Sequence, residues 1–170
     1  MMKMAKGPRS RVPFRRRREG RTDYRHRAAL LRGEVPRAVV RRSNRNVTIQ
    51  IVQYKDTGDA VLATAVSKEL GELGWKMSGK NTPAAYLTGL LAGKRAKDKG
   101  VEEAVLDIGL RESTKGAVVF AALKGLLDAG LEIPHSDKMI PSEERISGKH
   151  LREGATVMFN EVKGKIGGAT

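Results

Sequence analysis

Nine arginines crowd into residues 9–27, R-S-R-V-P-F-R-R-R-R-E-G-R-T-D-Y-R-H-R, against two acids, Glu19 and Asp23. A buried charge without a partner costs several kcal/mol, so this stretch cannot enter a core. Any fold must therefore be built from the residues that follow, and the counter-ions of the arm must lie outside the protein. Arginine's flat fork of donors matches phosphate oxygens in pairs and also stacks on bases. The stretch reads as an RNA-binding arm, with Arg9, Arg11, Arg15, Arg16, Arg17, Arg18, Arg21, Arg25 and Arg27 as phosphate contacts. Tyr24 and His26 are placed to stack on bases.

The charge is segregated. Of the net +14, residues 1–46 hold 16 Lys and Arg against 3 Asp and Glu, whereas residues 47–170 hold 17 against 16. A nearly neutral domain thus carries a polycationic extension, which points to a polyanionic partner rather than to a generally basic surface. There is no cysteine, which removes disulfides, thiolate zinc sites and cysteine nucleophiles. The longest uncharged run, residues 81–93, has 13 residues, short of the ~20 that a membrane helix needs. No apolar segment follows the basic start as in a secretory signal, and no membrane partner is expected.

Residues 1–20 lack apolar periodicity and are expected to be extended or disordered until bound. Residues 22–31 suggest a short helix capped by Thr22, with Ala28 to Leu31 as an apolar end that docks on the core. Three strand-like runs follow at residues 37–42, 47–54 and 60–65. A turn cluster at residues 43–46 and a loop containing Gly58 join them into an antiparallel meander. Ser67 is a candidate cap for a short turn ending at Gly71. Asn81-Thr82-Pro83 is a strong helix start, with Ala84, Leu87, Leu90 and Leu91 on one face and Gly100 as the stop. Residues 103–108 read as a buried strand parallel to a neighbour, and residues 114–129 as a second helix ended by Gly130.

The expected fold is a two-layer α/β domain: a three-stranded antiparallel meander, one parallel strand, two packed helices and an extended basic N-terminal arm. The expected division is an arm over residues 1–33, a core over 34–140 and a C-terminal extension over 141–170. That extension holds a short helix near residues 141–144 and a frayed tail from Gly164.

Other motifs carry less. Arg41, Arg42, Ser43, Asn44 and Arg45 put forked donors and small polar groups at a strand end, suited to an RNA backbone groove. Thr114 and Lys115, in S-T-K-G, resemble an anion nest at a helix start, with plain N-capping as the equal alternative. Residues 89–94, G-L-L-A-G-K, fail as a phosphate loop: the glycine spacing is short, Arg95 stands where Ser or Thr is needed, and the run falls mid-helix. Two glycines four apart instead suggest close packing on the sheet. Asp107 has no partner carboxylates for metal-dependent phosphoryl transfer and reads as structural. His26, His135 and His150 lack ligand spacing. Seven aromatic residues are too few for a base-stacking platform, so a folded RNA read through shape and phosphates is expected.

Several segments together then resemble one family. Residues 7–27 (G-P-R-S-R-V-P-F-R-R-R-R-E-G-R-T-D-Y-R-H-R), 41–47 (R-R-S-N-R-N-V), 81–93 (N-T-P-A-A-Y-L-T-G-L-L-A-G), 102–110 (E-E-A-V-L-D-I-G-L) and 119–135 (V-F-A-A-L-K-G-L-L-D-A-G-L-E-I-P-H) occur in order. Together they resemble the 5S rRNA-binding large-subunit ribosomal proteins of the L-eighteen family, archaeal type, related to the eukaryotic L-five protein. The resemblance covers roughly residues 7–150. It implies a non-enzymatic constituent of the cytoplasmic ribosome, without cofactor, that binds 5S rRNA and helps attach it to the large rRNA in the central protuberance. Neighbouring large-subunit proteins are implied as further partners.

Overall fold

The computed structural model describes residues 7–168. The expected unstructured start over residues 1–6 and the last two residues of the tail lie outside the described residues. The meander forms as β1 (Arg37–Arg42), β2 (Val47–Gln53) and β3 (Ala60–Val66). Val40 pairs with Ile49 and Ala38 with Ile51, while Ile51 and Ile49 pair on their other side with Ala63 and Ala65. With a side-chain period of two, these residues share one face, and all are buried. Ser43 closes the β1–β2 turn: its Oγ accepts from the Asn46 N–H and donates to the Asn46 carbonyl, both at 3.0 Å.

The chain crosses through α3 (Thr82–Lys97) to β4 (Val105–Asp107), which lies parallel to β1, giving the order β3-β2-β1-β4. Asn81 caps α3 by accepting from the Ala84 N–H at 2.9 Å. Pro83 is tolerated in the first turn because no N–H is needed there. Contrary to a single apolar face, Thr82 to Gly89 are all buried, and Leu90 and Leu91 only partly so. The reason is that α3 is enclosed. The sheet covers one side, α4 (Val118–Asp128) a second, and α5 (Glu143–Ser147) and α6 (Ala155–Gly168) the remaining flank.

The paired glycines of α3 serve α4 rather than the sheet. A Cβ on Gly89 would strike the Ala122 carbonyl, and one on Gly93 would lie 2.5 Å from Ala129 Cβ. Gly125 of α4 reciprocates against the Tyr86 carbonyl. Backbones this close leave no room for a side chain.

Four expectations about helix ends need correction. α4 begins at Val118, not Thr114, because Gly116 is left-handed at φ +72° and bonds the Met139 carbonyl at 3.0 Å. Ser67 Oγ accepts from the Val47 N–H at 3.0 Å and caps nothing, leaving the 3-10 turn Glu69–Gly71 without a side-chain cap. In the arm, α2 (Tyr24–Leu31) is capped by Asp23 rather than Thr22. The tail expected to fray from Gly164 is helical through Gly168. Phe159, Val162 and Ile166 are buried there, and Phe159 lies 5.4 Å from the Tyr86 ring. Among the described residues no helix is long and apolar enough to cross a membrane.

Candidate nucleic-acid interface

The sheet face away from the helices carries an ion network that its register dictates. Arg37 and Arg41 lie four residues apart on β1, hence on one face, and Val39 between them pairs with Asp107 of β4. Asp107 therefore reaches both: Oδ2 accepts from Arg37 Nη1 at 3.0 Å, and Oδ1 from Arg41 Nη2 at 2.9 Å. Arg41 Nη1 also donates to the Asp107 carbonyl at 2.8 Å, and the Gly109 N–H donates to Asp107 Oδ1 at 2.8 Å. Burial pushes the Asp107 carboxyl up. The hydrogen bond and charge of Arg41, the Gly109 N–H and the charge of Arg37 outweigh that and hold it below the ordinary carboxylate range. Gly109 is left-handed at φ +68°, and a Cβ there would lie 3.1 Å from the Arg41 guanidinium, so glycine is what lets that side chain lie down.

Arg37 is only 2% exposed and carries a second partner, Asp59, at 2.7 Å. Asp59 also accepts from Arg27 Nη2 of α2, at 3.0 and 3.2 Å. This bidentate pair ties the arm to the core; the apolar end of α2 does not, since Ala28 and Ala29 are exposed and Leu30 and Leu31 only partly covered. Asp23 starts α2 by accepting from the Arg25 and His26 N–H groups. The His26 N–H is the main reason its carboxyl sits below the usual range.

Part of the stretch expected to be extended is a single helical turn, α1 (Arg15–Arg18). One turn of arginine is marginal by itself. Here Glu19 pairs with Arg15 at 3.7 Å and Arg21 at 3.3 Å, and Arg16 Nε donates to Thr22 Oγ1 at 2.9 Å. The Phe14 and Tyr24 rings meet at 5.6 Å, tilted by 49°, with Phe14 74% exposed.

Between arm and sheet opens a groove of about 450 Å³. Arg16, Arg21, His26 and Arg27 line it from the arm, Arg41 and Arg42 from β1, and Arg111 from the loop after β4; the acids lining it are Asp23 and Asp107. Both acids are already engaged by protein donors, so the groove is cationic. Arg17, Tyr24 and Arg25 line an adjoining depression, with Leu110.

The sequence-derived residues are thus not all equivalent. Arg9, Arg11, Arg17, Arg18 and Arg25 project into solvent with no side-chain partner among the described residues, as do Asn44 and Arg45 in the β1–β2 turn. Ser43 is occupied in closing that turn. Arg27 and Arg41, both expected as RNA contacts, are held by Asp59 and Asp107 and present only the remaining edges of their guanidiniums. Thr114 and Lys115 do not begin a helix; they stand in the turn before α4, and Thr114 lines a separate cavity with Arg42. Arg111 was not singled out from the sequence, because a lone arginine in a loop gives no signal of its own. Its Nη2 donates to the Arg42 carbonyl at 2.7 Å. Among the described residues no cluster of three or more His, Cys, Asp or Glu could hold a metal ion.

The family model described as "Ribosomal large subunit proteins 60S L5, and 50S L18" matches residues 8–103 and 96–136. The large ribosomal subunit protein uL18 of Korarchaeum cryptofilum is 54% identical over 158 residues, covering 93% of this chain and 81% of the relative. The uL18 protein of Methanococcus maripaludis is 55% identical over 152 residues, covering 89% of this chain and 79% of the relative. The matched residues include the arm, the four strands and both central helices. The chain therefore belongs to the family of large-subunit ribosomal proteins 60S L5 and 50S L18, in its archaeal form, as a structural constituent of the cytoplasmic ribosome among its rRNA and proteins and not as an enzyme.

Proposed function

We propose that this chain binds 5S rRNA and helps attach it to the large rRNA in the central protuberance, beside neighbouring large-subunit proteins. The observation that carries the reading is the cationic groove between arm and sheet, whose acids are already taken up by internal donors. Its arginines offer forked donors to successive phosphates. The solvent-facing Arg9, Arg11, Arg17, Arg18, Arg25 and Arg45 add to the same positive field, as do Arg15 and Lys115. Tyr24 and His26 supply stacking surfaces for unpaired bases. Arg42, Ser43 and Asn44 set the register of the RNA against the β1–β2 turn. In this reading residues 1–33 act as the RNA-binding arm, 34–140 as the scaffold and 141–170 as an extension that supports α3.

The test is competitive binding of the full chain to labelled 5S rRNA. Unlabelled 5S rRNA competes at equimolar amounts, and an unrelated folded RNA of equal length competes only in large excess. Equal competition by both RNAs would replace this reading with that of a general RNA-binding protein.

A further inference from the structure

A second cavity, of about 500 Å³, shares Arg42 and Arg111 with the groove. It is lined by Arg42, Arg111, Arg145 and Thr114 and by the first residues of α4. Three features make it a site in want of an anion. The Arg42 Nε is buried and has no hydrogen-bond partner. Arg145 has an exposed side chain that makes no ion pair or hydrogen bond among the described residues, while its N–H donates to the Ser142 carbonyl at 2.9 Å. At the start of the 11-residue α4, the Val118 and Val119 N–H groups have neither a backbone acceptor nor a capping side chain. Glu112 is the single acid of the lining and makes no ion pair among the described residues.

We infer that this cavity holds a phosphodiester of the bound RNA, one step beyond the groove. Arg42 and Arg111 line both spaces, and the bond from Arg111 to the Arg42 carbonyl fixes them side by side. A nucleic-acid backbone leaving the groove across this pair meets the second cavity next. There one phosphate satisfies what the protein leaves open: guanidinium donors from Arg42 and Arg145 and the unpartnered N–H groups of a helix start. A phosphate is the anion of choice because its several oxygens accept from convergent donors at once, which a single carboxylate does less well. Arg145 is the diagnostic residue, since it belongs to this cavity and not to the groove.

The inference rests on the RNA-binding reading, and one set of measurements separates the two. The full chain and Arg145→Gln are titrated with 5S rRNA at several salt concentrations. Phosphates whose ethylation blocks binding are mapped for each protein. The variant is expected to bind several-fold more weakly, with its log K against log salt slope reduced by about 0.7–0.9, one phosphate's worth. One ethylation-sensitive position seen with the wild type should disappear, and the thermal midpoint should not change. Arg145→Lys, which keeps the charge, should restore the slope. Wild-type binding with no change in slope or ethylation pattern on going to R145Q overturns the second site and leaves the RNA reading intact. No wild-type binding removes both. Finally, the Val118 and Val119 amide resonances should shift with RNA. If they shift instead with inorganic phosphate and not with RNA, the cavity is a free-anion site and the inference falls.

Discussion

Arg27 of the arm helix donates to both carboxylate oxygens of Asp59, in the loop before β3, across 32 residues of sequence. The pair ties α2 to the loop before β3 and, through Asp59, to Arg37 of β1. An arm already in position has less conformational freedom to lose on binding.

Asp59→Asn should loosen that attachment. The Arg27 side chain is 39% exposed, so its bond is a screened surface pair contributing about 0.2–1 kcal/mol. Asp59 also serves the buried Arg37, which keeps Asp107 in the variant, so the chain should stay folded with a modestly lower melting point. Hydrogen exchange checks the local effect: protection of the α2 amides should fall while that of β1 and β2 is retained.

Asp107 should set an acid limb of stability. Its carboxyl is held below the ordinary range in the fold, so its contribution is complete above the unfolded value of about 3.9 and is lost as pH falls through the folded value. Asp107→Asn should cost about 3 kcal/mol near neutral pH, because this buried carboxylate, unlike Asp59, pairs with both Arg37 and Arg41 on β1. Urea midpoints measured from pH 7 down to the acid transition should fall more gently for the variant than for the wild type over that limb. Parallel curves would mean that the aspartate does not govern it.

Gly89→Ala and Gly125→Ala should each destabilise the fold by about 1–3 kcal/mol, since each new methyl meets helix backbone that cannot rotate away. Gly164→Ala in α6 has open space around its Cβ and should be neutral or slightly stabilising. Thermal melts of the three variants decide the matter.

Arginines that look alike in the sequence should behave differently on substitution. Arg17→Ala and Arg45→Ala, whose side chains have no protein partner, should each lower the salt slope of RNA binding by about 0.7–0.9 with no change in melting point. Arg41→Ala should lower both, because the same side chain is part of the Asp107 network.

Local rules made the strands readable: alternation set which residues of β2 face the core, and Asn81 with Pro83 marked the start of α3 to within a residue. What failed was whatever depends on distant partners. Ser113 and Thr114 look like a helix cap, but Gly116 bonds Met139 and delays α4. Gly164, Gly167 and Gly168 look like breakers, yet the helix persists because Ile166 is buried and Lys94 bonds its carbonyl at 2.9 Å. Nothing local distinguishes Arg27 and Arg41 from the free arginines; Asp107 lies 66 residues from Arg41 and reaches it only through the parallel β1–β4 register. The charge boundary near residue 46 likewise does not coincide with the fold, since β1 and its turn arginines belong to the sheet.

The arm and the groove beside it are expected to deliver neutralising charge to RNA, while the sheet and helices fold without the arm. The most direct test is the salt dependence of 5S rRNA binding by the full chain and by a chain lacking residues 1–27, with circular dichroism on both. The account predicts a slope of several units for the full chain at up to ~0.9 per phosphate, a much shallower one for the truncated chain, and an unchanged thermal transition apart from the loss of the Arg27 pair. Equal slopes for the two chains, or a truncated chain that no longer melts cooperatively, would contradict it.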